Sequence, residues 1–427
     1  MTNKIVQATC NAANGVMDWV NERAPGMMPA YRKHMSEYYA PKNFNIWYIF
    51  GVLSMVVLVN QILTGIFLTM HFKPSAAEAF GSVEYIMRDV EWGWLIRYMH
   101  STGASLFFIV IYLHMFRGLM YGSYRKPREL VWLLGMVIYL VLMAEAFMGY
   151  VLPWGQMSYW GAKVIISLFG AIPVIGGGLT EWIMGDYNPG DATLNRFFAL
   201  HVIAMPLVLL LLVVLHIFAL HEVGSNNPDG VEIKKGPKGN RWSEKAPTDG
   251  IPFHPYYTVK DLFYIGCFLI IAAFVIFFAP TFGGWFLEHD NFTEANPLVT
   301  PSHIKPVWYF TPYYAMLRVV PSFFGIKLWG VLVMFGAIVM LFLLPWLDRS
   351  PVKSYRYRGW ISWSMLLMFA VSFLWLAKIG AGPGTDPVEA IIGRVLTFLY
   401  FAFFITMPVW SKLDKTKPVP DRVTMHD

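Results

Sequence analysis

The chain has 427 residues, of which 56% are hydrophobic, 17% aromatic and only 14% charged, and its mean hydropathy is +0.48. This composition is typical of a polytopic membrane protein and excludes an ordinary soluble domain. The formal net charge of +6 does not indicate a nucleic-acid partner, because the basic residues lie in loops beside hydrophobic segments, where they report membrane topology.

The apolar residues are grouped into eight long segments. Residues 1–45 precede them and are polar and mixed, so we expect an N-terminal surface segment with a helix around 12–23 and no cleavable signal peptide. Each apolar segment is about 20 residues long, which is enough to cross a bilayer as a helix. The segments are 46–70, 95–120, 130–152, 197–221, 258–282, 325–347, 360–378 and 391–411. The predicted fold class is therefore all-α, with eight transmembrane helices.

The basic residues predict the orientation of these segments. If the N-terminus is cytoplasmic, 23 of the 33 lysine and arginine residues fall on the cytoplasmic side, as the positive-inside rule requires. The segment 164–180 is apolar but interrupted by proline and glycine, and a ninth span there would move the basic loops 222–260 and 349–358 to the opposite side. The predicted segments at the two faces are non-spanning outer helices at about 155–190, a cytoplasmic loop at 222–257 and a cytoplasmic tail at 412–427.

Four histidines lie inside two of the apolar segments. His100 and His114 are 14 residues apart in the second, and His201 and His216 are 15 apart in the fourth. At about 100° and 1.5 Å per residue, 14 residues return a side chain to within about 40° of its starting direction, roughly 21 Å along the axis. Fifteen residues overshoot by about 60°. Pro206 lies between the second pair and is typical of a kink or wide turn that absorbs one extra residue.

Imidazoles at membrane depth are costly and indicate a buried partner. Since the second and fourth segments cross in the same direction, we expect His100 to face His201 in an outer layer and His114 to face His216 in an inner layer. Two such pairs predict two stacked haems with bis-histidine ligation, which suits electron transfer. No C-x-x-C-H motif is present, so the haems would be bound non-covalently. Histidines that only hydrogen-bond between helices are the alternative.

Glycines and arginines are expected at the same depths as the two histidine layers. Glycines recur at a 14-residue interval in the first and third segments, where a glycine opposite each layer would let a flat macrocycle approach the backbone. They are Gly51 and Gly65, and Gly135 and Gly149. Three arginines at the edges of the layers would pair with haem propionates, with snorkelling to the interface as the alternative. They are Arg97, Arg117 and Arg196.

Long stretches of the chain resemble the cytochrome b subunit of the cytochrome bc complex (complex III), in its proteobacterial form. The resemblance runs from about 40 to 410 and is carried by the strings RYMHSTGAS, FMGYVLPWGQMSYWGA, TLNRFFALH, HEVGSNNPDG, IPFHPYYTVKD and PVWY. It implies a dihaem four-helix bundle at 46–221 and a C-terminal four-helix region at 258–411, which includes an outer quinol-site loop at 283–324. The 15-residue histidine interval departs from the 14 that is usual in this form.

The resemblance implies the catalytic subunit of a quinol:cytochrome c oxidoreductase. Quinol would be oxidised at the outer face, and electrons would pass through two b haems to quinone at the inner face, with proton translocation. The implied partners are a Rieske iron–sulfur protein, cytochrome c1 and membrane lipid, in a homodimer of the complex. The implied substrate is ubiquinol or ubiquinone, and the implied location is the bacterial inner membrane with both termini cytoplasmic.

The resemblance also places a quinone-reducing site at the cytoplasmic ends of the fourth and fifth segments. Quinone carbonyls need hydrogen-bond donors and two protons, which a histidine and a carboxylate near water can supply. The residues expected there are His221, Ser225, Lys260 and Asp261. Loop capping and surface charge are the alternative roles for these residues.

The outer quinol site departs from the family. The residues expected in it are Tyr150, Pro306, Trp308 and Tyr309. Many members carry a glutamate as the second residue of the PVWY motif, where it accepts a quinol proton, but Val307 cannot titrate. We expect Glu145, in the apolar segment before Tyr150, to act as the base instead, with Glu294 as the second candidate. A local hydrogen bond is the alternative role for Glu145.

Two other functions fit part of the sequence. A dihaem membrane anchor of a quinone-linked dehydrogenase would need the histidines, but it would have one quinone site and no use for the loop between the fifth and sixth segments. A proton-coupled transporter would use buried histidines as a proton relay. A reduced optical spectrum with b-type bands would exclude the transporter.

Overall fold

The structure is a computed structural model that describes residues 2–31, 38–233, 249–322 and 328–425. Helices dominate these ranges, as the composition predicts. Parts of five predicted segments lie outside the described residues: 1 and 32–37 of the N-terminal segment, 234–248 of the cytoplasmic loop, 323–324 of the outer-site loop, 325–327 of the sixth span and 426–427 of the tail.

Within the described ranges, the first half of the chain contains an N-terminal helix, the first four long apolar helices and five shorter helices. Its helices are α1 (Thr2–Arg23), α2 (Met27–Tyr31), α3 (Ile49–Thr69), α4 (Ala79–Arg88), α5 (Gly93–Tyr121), α6 (Glu129–Val151), α7 (Gln156–Phe169), α8 (Gly176–Met184), α9 (Asp191–Ala199) and α10 (Met205–Val223). The second half contains the other long apolar helices and two short ones. They are α11 (Thr258–Phe278), α12 (Thr311–Val319), α13 (Leu328–Leu347), α14 (Trp360–Ala381), α15 (Pro387–Ile405) and α16 (Met407–Leu413).

Eight helical stretches in the described ranges are long and apolar enough to cross a membrane, and this confirms the predicted number. They are Ile46–Thr69, Gly93–Tyr121, Glu129–Val151, Asp191–Val223, Phe253–Phe278, Leu328–Leu347, Trp360–Ala381 and Pro387–Ile405. The bounds differ most from the predicted ones at two ends: the fourth stretch begins at Asp191, against about 197, and the eighth ends at Ile405, against about 411. The eighth ends early because Pro408 has no N–H to continue the helix, and the separate helix α16 begins at Met407.

Helices α7 and α8 occupy the apolar segment that the charge distribution predicts not to cross. They contain 14 and 9 residues, whereas a helix needs about 20 residues to span a bilayer. Gly176 begins α8, and Gly185 ends it in a left-handed conformation with φ of +77°, which a residue without a Cβ adopts without strain.

Helices α3, α5, α6 and α10 form a four-helix bundle in the first half. α3 packs along α5, and α10 packs along α6. In the second half α14 packs against α12 and α15, and α13 contacts α12, α15 and α6. One cluster of buried apolar side chains runs from Leu53 and Phe108 in the bundle to Leu344 and Phe403 in the second half. The two halves therefore share one core.

A π-helical turn at Leu200–Ala204 joins α9 to α10. The turn is wide, because the N–H of Met205 donates to the carbonyl oxygen five residues earlier. Pro206 follows and has no N–H, so it cannot make the regular α-helical bond. The wide turn predicted between His201 and His216 is therefore present, and it takes up the extra residue of that interval.

A two-stranded antiparallel ribbon ties the N-terminal segment to the connection before α11. Strand β1 (Tyr39–Pro41) pairs with β2 (Gly250–Pro252). The N–H of Phe253 extends this pairing by donating to the carbonyl oxygen of Tyr38 at 2.8 Å. The ribbon adds a small β element to the predicted all-α fold and holds Tyr38 close to the start of α11.

Candidate functional site

The four histidines form two facing pairs inside the four-helix bundle. The ring centroids of His100 and His201 are 6.2 Å apart, and those of His114 and His216 are 6.4 Å apart. An imidazole nitrogen binds a metal at about 2.0 Å, so two rings that share one ion have centroids about 6 Å apart. Each pair therefore fits one metal ion held between two rings. We call the pairs the His201 layer and the His216 layer.

Hydrogen bonds set the tautomers in the His201 layer. The hydroxyl of Thr64 donates to the carbonyl oxygen of Asn60 at 2.6 Å, so its oxygen accepts from Nδ1 of His100 at 2.9 Å. Nδ1 of His201 lies 3.0 Å from two acceptors, the backbone oxygen and Oε1 of Glu145. Each Nδ1 therefore carries the proton, and each Nε2 keeps the lone pair that a metal requires.

A partly unpaired arginine stands at the edge of the His216 layer. The guanidinium of Arg117 lies 4.8 Å over the ring of Tyr48, and one of its terminal nitrogens lies 3.4 Å from Nδ1 of His114. Its Nε is buried and has no hydrogen-bond partner in the described part of the chain. A buried guanidinium is stable only beside an anion or acceptors. The carboxylate of a group bound in this layer would satisfy it, as expected for a haem propionate.

The other two predicted propionate partners differ in position. Arg97 lines the cavity beside the His201 layer, one helical turn before His100. Arg196 does not line it; its guanidinium donates to the carbonyl oxygen of Trp182, in the last turn of α8. Five residues separate Arg196 from His201, and this interval turns a side chain by about 140° on a helix. The position of the Arg196 side chain therefore does not support it as a propionate partner.

The four glycines lie in register with the histidine layers, but they contact the histidine rings themselves. The contacting pairs are Gly65 with His100, Gly149 with His201, Gly51 with His114 and Gly135 with His216. A Cβ on Gly149 would lie only 2.4 Å from Cε1 of His201, and the other three distances are 3.2 to 3.3 Å. The glycines therefore make room for the imidazoles, and their contact with a macrocycle stays a prediction.

A largely apolar cavity of about 430 Å³ opens beside the His201 layer. Side chains from the bundle and from the loops of the second half line it together. They include Arg97, Glu145, Tyr150, Phe286, Val307 and Tyr309. The cavity therefore connects the His201 layer with the residues that the resemblance places in the outer quinol site.

A buried glutamate, Glu288, contacts this cavity through Tyr150. The hydroxyl of Tyr150 donates to Oε2 of Glu288 at 2.5 Å, and Glu288 is only 4% exposed. Burial raises the pKa of Glu288 to about 7, against the opposing effects of the Tyr150 hydrogen bond and of Lys305. A carboxyl group with this pKa is poised to accept a proton near neutral pH.

Neither of the two glutamates predicted from the sequence bonds to Tyr150. Oε1 of Glu145 is 3.0 Å from Nδ1 of His201, whereas the hydroxyl of Tyr150 bonds to Glu288. Glu294 is exposed, and its backbone forms an isolated bridge with Gly155. The geometry therefore does not support either of them as the partner of the outer-site tyrosine.

The PVWY segment is fixed against α5. Nε1 of Trp308 donates to Oγ of Ser105 at 3.1 Å, and the ring of Tyr309 stacks on Phe108 with centroids 3.9 Å apart. Val307 is buried at 4% exposure and lines the cavity, while Pro306 is half-buried. The motif therefore forms one wall of the cavity.

The residues predicted for the second quinone site lie where α10 ends and α11 begins. Tyr38 stacks on His221 with centroids 4.5 Å apart, and its hydroxyl shares a 2.9 Å hydrogen bond with Oγ of Ser225. Lys260 donates to the carbonyl oxygen of Phe44 at 2.8 Å. Asp261 follows it in the first turn of α11 and is half-buried. Tyr38 thus brings the histidine and the serine together.

Two residues of these sites were missed by the sequence reasoning. Glu288 directly follows the apolar run 285–287, and an acidic residue in such a position was a usable signal. Tyr38 gave no comparable signal, because its contacts with His221 and Ser225 depend on the ribbon that pairs distant segments.

Comparisons with known proteins agree with this geometry. The family model described as "Cytochrome b/b6/petB" matches residues 35–224, and that described as "Cytochrome b(C-terminal)/b6/petD" matches residues 294–401. Cytochrome b of Allochromatium vinosum is 63% identical over 96% of this chain and 98% of its own length. Cytochrome b of Rhodospirillum rubrum is 48% identical over 95% of each chain.

A solved structure, titled "Hyperthermophilic respiratory Complex III", has the same fold. It superimposes with a TM-score of 0.83 at 40% identity, covering 92% of this chain and 98% of the other. The matches extend over both halves of the molecule, including the bundle that carries the two histidine layers. The chain therefore belongs to the cytochrome b family of haem-binding membrane proteins.

Proposed function

We propose that the chain is the membrane subunit of a respiratory complex III, which oxidises quinol at the His201 side and reduces quinone at the His216 side. The observation that carries this proposal is the presence of two bis-imidazole pairs in one bundle, with centroid separations of 6.2 and 6.4 Å. The two members that lie on α5, His100 and His114, are 14 residues apart, or roughly 21 Å along the helix axis. Redox groups at this spacing join the two faces of a membrane.

Two non-covalently bound b-type haems would supply one-electron chemistry, and they would be held by His100 with His201 and by His114 with His216. The protein's part is to orient the rings, pair the propionates and exclude water. Arg117 and Arg97 are the propionate partners in this proposal, because the first has a buried unpaired Nε and the second lines the cavity.

Quinol oxidation is assigned to the end of the cavity that Tyr150, Val307 and Tyr309 line, while the end lined by His100 and His201 would hold the haem. The walls are Tyr150 and the PVWY segment, which leave an apolar space for a quinol ring. A quinol that loses two electrons also loses two protons, and one of these passes from the cavity through the Tyr150 hydroxyl to Glu288. Glu288 replaces Glu145 and Glu294 as the proposed base, because it is buried and bonded to Tyr150.

Quinone reduction is assigned to the region around His221, Ser225, Lys260 and Asp261. A quinone carbonyl there would accept a hydrogen bond from the histidine, and the carboxyl group of Asp261 would relay a proton. Tyr38 positions the site, since it stacks on His221 and hydrogen-bonds Ser225.

The complex would be a quinol:cytochrome c oxidoreductase with a Rieske iron–sulfur protein, cytochrome c1 and a second copy of itself as partners. Its substrate would be ubiquinol, and its place the bacterial inner membrane, with the His201 side facing outwards and both termini in the cytoplasm. The excess of lysine and arginine on the side of the termini supports this orientation.

The test is an optical redox titration of the purified complex and of single histidine variants. We expect two b-type components. His114→Leu or His216→Leu should remove one component, and His100→Leu or His201→Leu should remove the other, because each six-coordinate site loses an axial bond. Full content of both components in any of these variants would exclude that histidine as a ligand, and quinol-dependent reduction of cytochrome c by the unaltered complex tests the overall activity.

A further inference from the structure

The side chain of Glu145 is placed against a ring that the proposed function assigns to iron. Its Oε1 lies 3.0 Å from Nδ1 of His201, and both side chains are 15% exposed. Its other oxygen, Oε2, is buried with no hydrogen-bond partner in the described ranges. Four residues separate Glu145 from Gly149, so both lie on the face of α6 that contacts His201.

The hydrogen bond has a defined direction. Both oxygens near Nδ1 of His201, the carboxylate and the backbone carbonyl of Glu145, are acceptors, so the proton lies on Nδ1. An anionic acceptor pulls the proton partly away from Nδ1. The ring then carries more electron density, and Nε2 becomes a stronger donor to iron. A more strongly donating axial ligand stabilises ferric over ferrous iron.

No carboxylate lies at Nδ1 of the other histidines in the described ranges: His100 and His216 have neutral surroundings there, and His114 faces the guanidinium of Arg117 at 3.4 Å. His100 bonds to the hydroxyl of Thr64. His216 faces the backbone of Val131 without a hydrogen bond of normal geometry. Val131 precedes Gly135 by four residues, as Glu145 precedes Gly149, so it occupies in the His216 layer the position that Glu145 has in the His201 layer. The two layers differ at this position by one carboxylate.

We propose that Glu145 is a positioning residue that lowers the midpoint potential of the haem in the His201 layer relative to that of the haem in the His216 layer. The proposal rests on the two-haem arrangement proposed above. A lower potential in the His201 layer makes electron transfer towards the His216 layer more favourable, so the carboxylate adds to the driving force across the membrane.

The test is an optical redox titration of the purified complex carrying Glu145→Gln, which is nearly isosteric but neutral. We expect the midpoint potential of the His201-layer haem to rise by an amount equivalent to about a tenfold change in its redox equilibrium constant, or about 59 mV for one electron. The His216-layer haem is the internal control and should not shift. Glu145→Asp, which keeps the charge, should shift the potential less than Glu145→Gln.

The reciprocal variant places the carboxylate in the other layer. Val131→Glu should lower the midpoint potential of the His216-layer haem and leave the His201-layer haem unchanged. If Glu145→Gln keeps both haems and shifts neither potential, or shifts both equally, the proposal is overturned. If Glu145→Gln loses the haem of the His201 layer, the result for Val131→Glu is decisive. A lowered midpoint potential of the His216-layer haem then supports the proposal, and an unchanged potential overturns it. Absence of two b-type components in the unaltered complex would instead overturn the proposed function.

Discussion

Replacement of Glu288 by glutamine tests the outer site most directly. The carboxyl group of Glu288 is buried, bonded to Tyr150 and faced by Tyr309, Lys305 and Asp290. Its pKa is raised to about 7 by burial. Because the ionised form is the one that accepts a proton, quinol oxidation should become faster as the pH rises through this value.

The expected change in the rate of quinol oxidation with pH follows from the pKa of Glu288. A group that titrates at pH 7 is ionised to about a tenth at pH 6 and to about nine-tenths at pH 8, so the rate should rise about tenfold over this range. Glu288→Gln removes the base while keeping the shape of the side chain. We expect quinol oxidation to fall about a hundredfold at pH 8, which is at the low end for the loss of a general base, and to lose its dependence on pH.

The assay is steady-state, quinol-dependent reduction of cytochrome c by the purified complex between pH 6 and pH 8, with both haem spectra recorded beforehand. Glu294→Gln is the matched control, because it neutralises an exposed acid in the same loop, and it should keep the wild-type rate. Val307→Glu added to Glu288→Gln should restore part of the rate, since Val307 lines the same cavity. A wild-type rate and pH profile in Glu288→Gln, with both haems present, would refute the role of Glu288.

Three further outcomes are expected. Gly149→Ala places a Cβ 2.4 Å from Cε1 of His201. Pyridine haemochrome analysis should therefore show loss of about half the haem. Full haem content would show that the ring can move aside. Deletion of Ile203 should convert the π turn into regular helix and keep both b-type components; loss of both would mean that the wide turn is required. Asp261→Asn should slow reoxidation of the His216-layer haem in flash or stopped-flow kinetics while its reduction stays unchanged, and an unaltered reoxidation rate would argue against a proton relay at this residue.

Periodicity along helices was sufficient to predict the histidine pairs. The interval of 14 residues, the direction of each span and Pro206 together predict which rings face each other, and the structure brings the same rings together. These inferences succeed because they need only the fixed geometry of a helix and the thickness of a bilayer.

Helical geometry also bears on Glu145, whose predicted role in the outer site the structure does not support. Five residues separate Glu145 from Tyr150, and this interval rotates a side chain by about 140°, whereas the four residues to Gly149 rotate it by about 40°. Helical geometry alone therefore places Glu145 on the face towards His201. Glu288 and Tyr38 are different cases, because their partners are 138 and 187 residues away in the chain, and no local pattern reports such contacts.

The π turn also bears on how this helix tolerates changes in length. An inserted residue advances an α-helix by about 100°, which would rotate every later side chain out of phase with its neighbours. At Leu200–Ala204 the additional residue is confined to one wide turn beside a proline, so the helix on each side keeps its own register. A membrane helix that carries side chains for two separate depths cannot gain length at most positions, but it can do so at such a turn. Insertions and deletions in this helix are therefore expected to concentrate there, and an alignment of related chains should place its gap within these five residues.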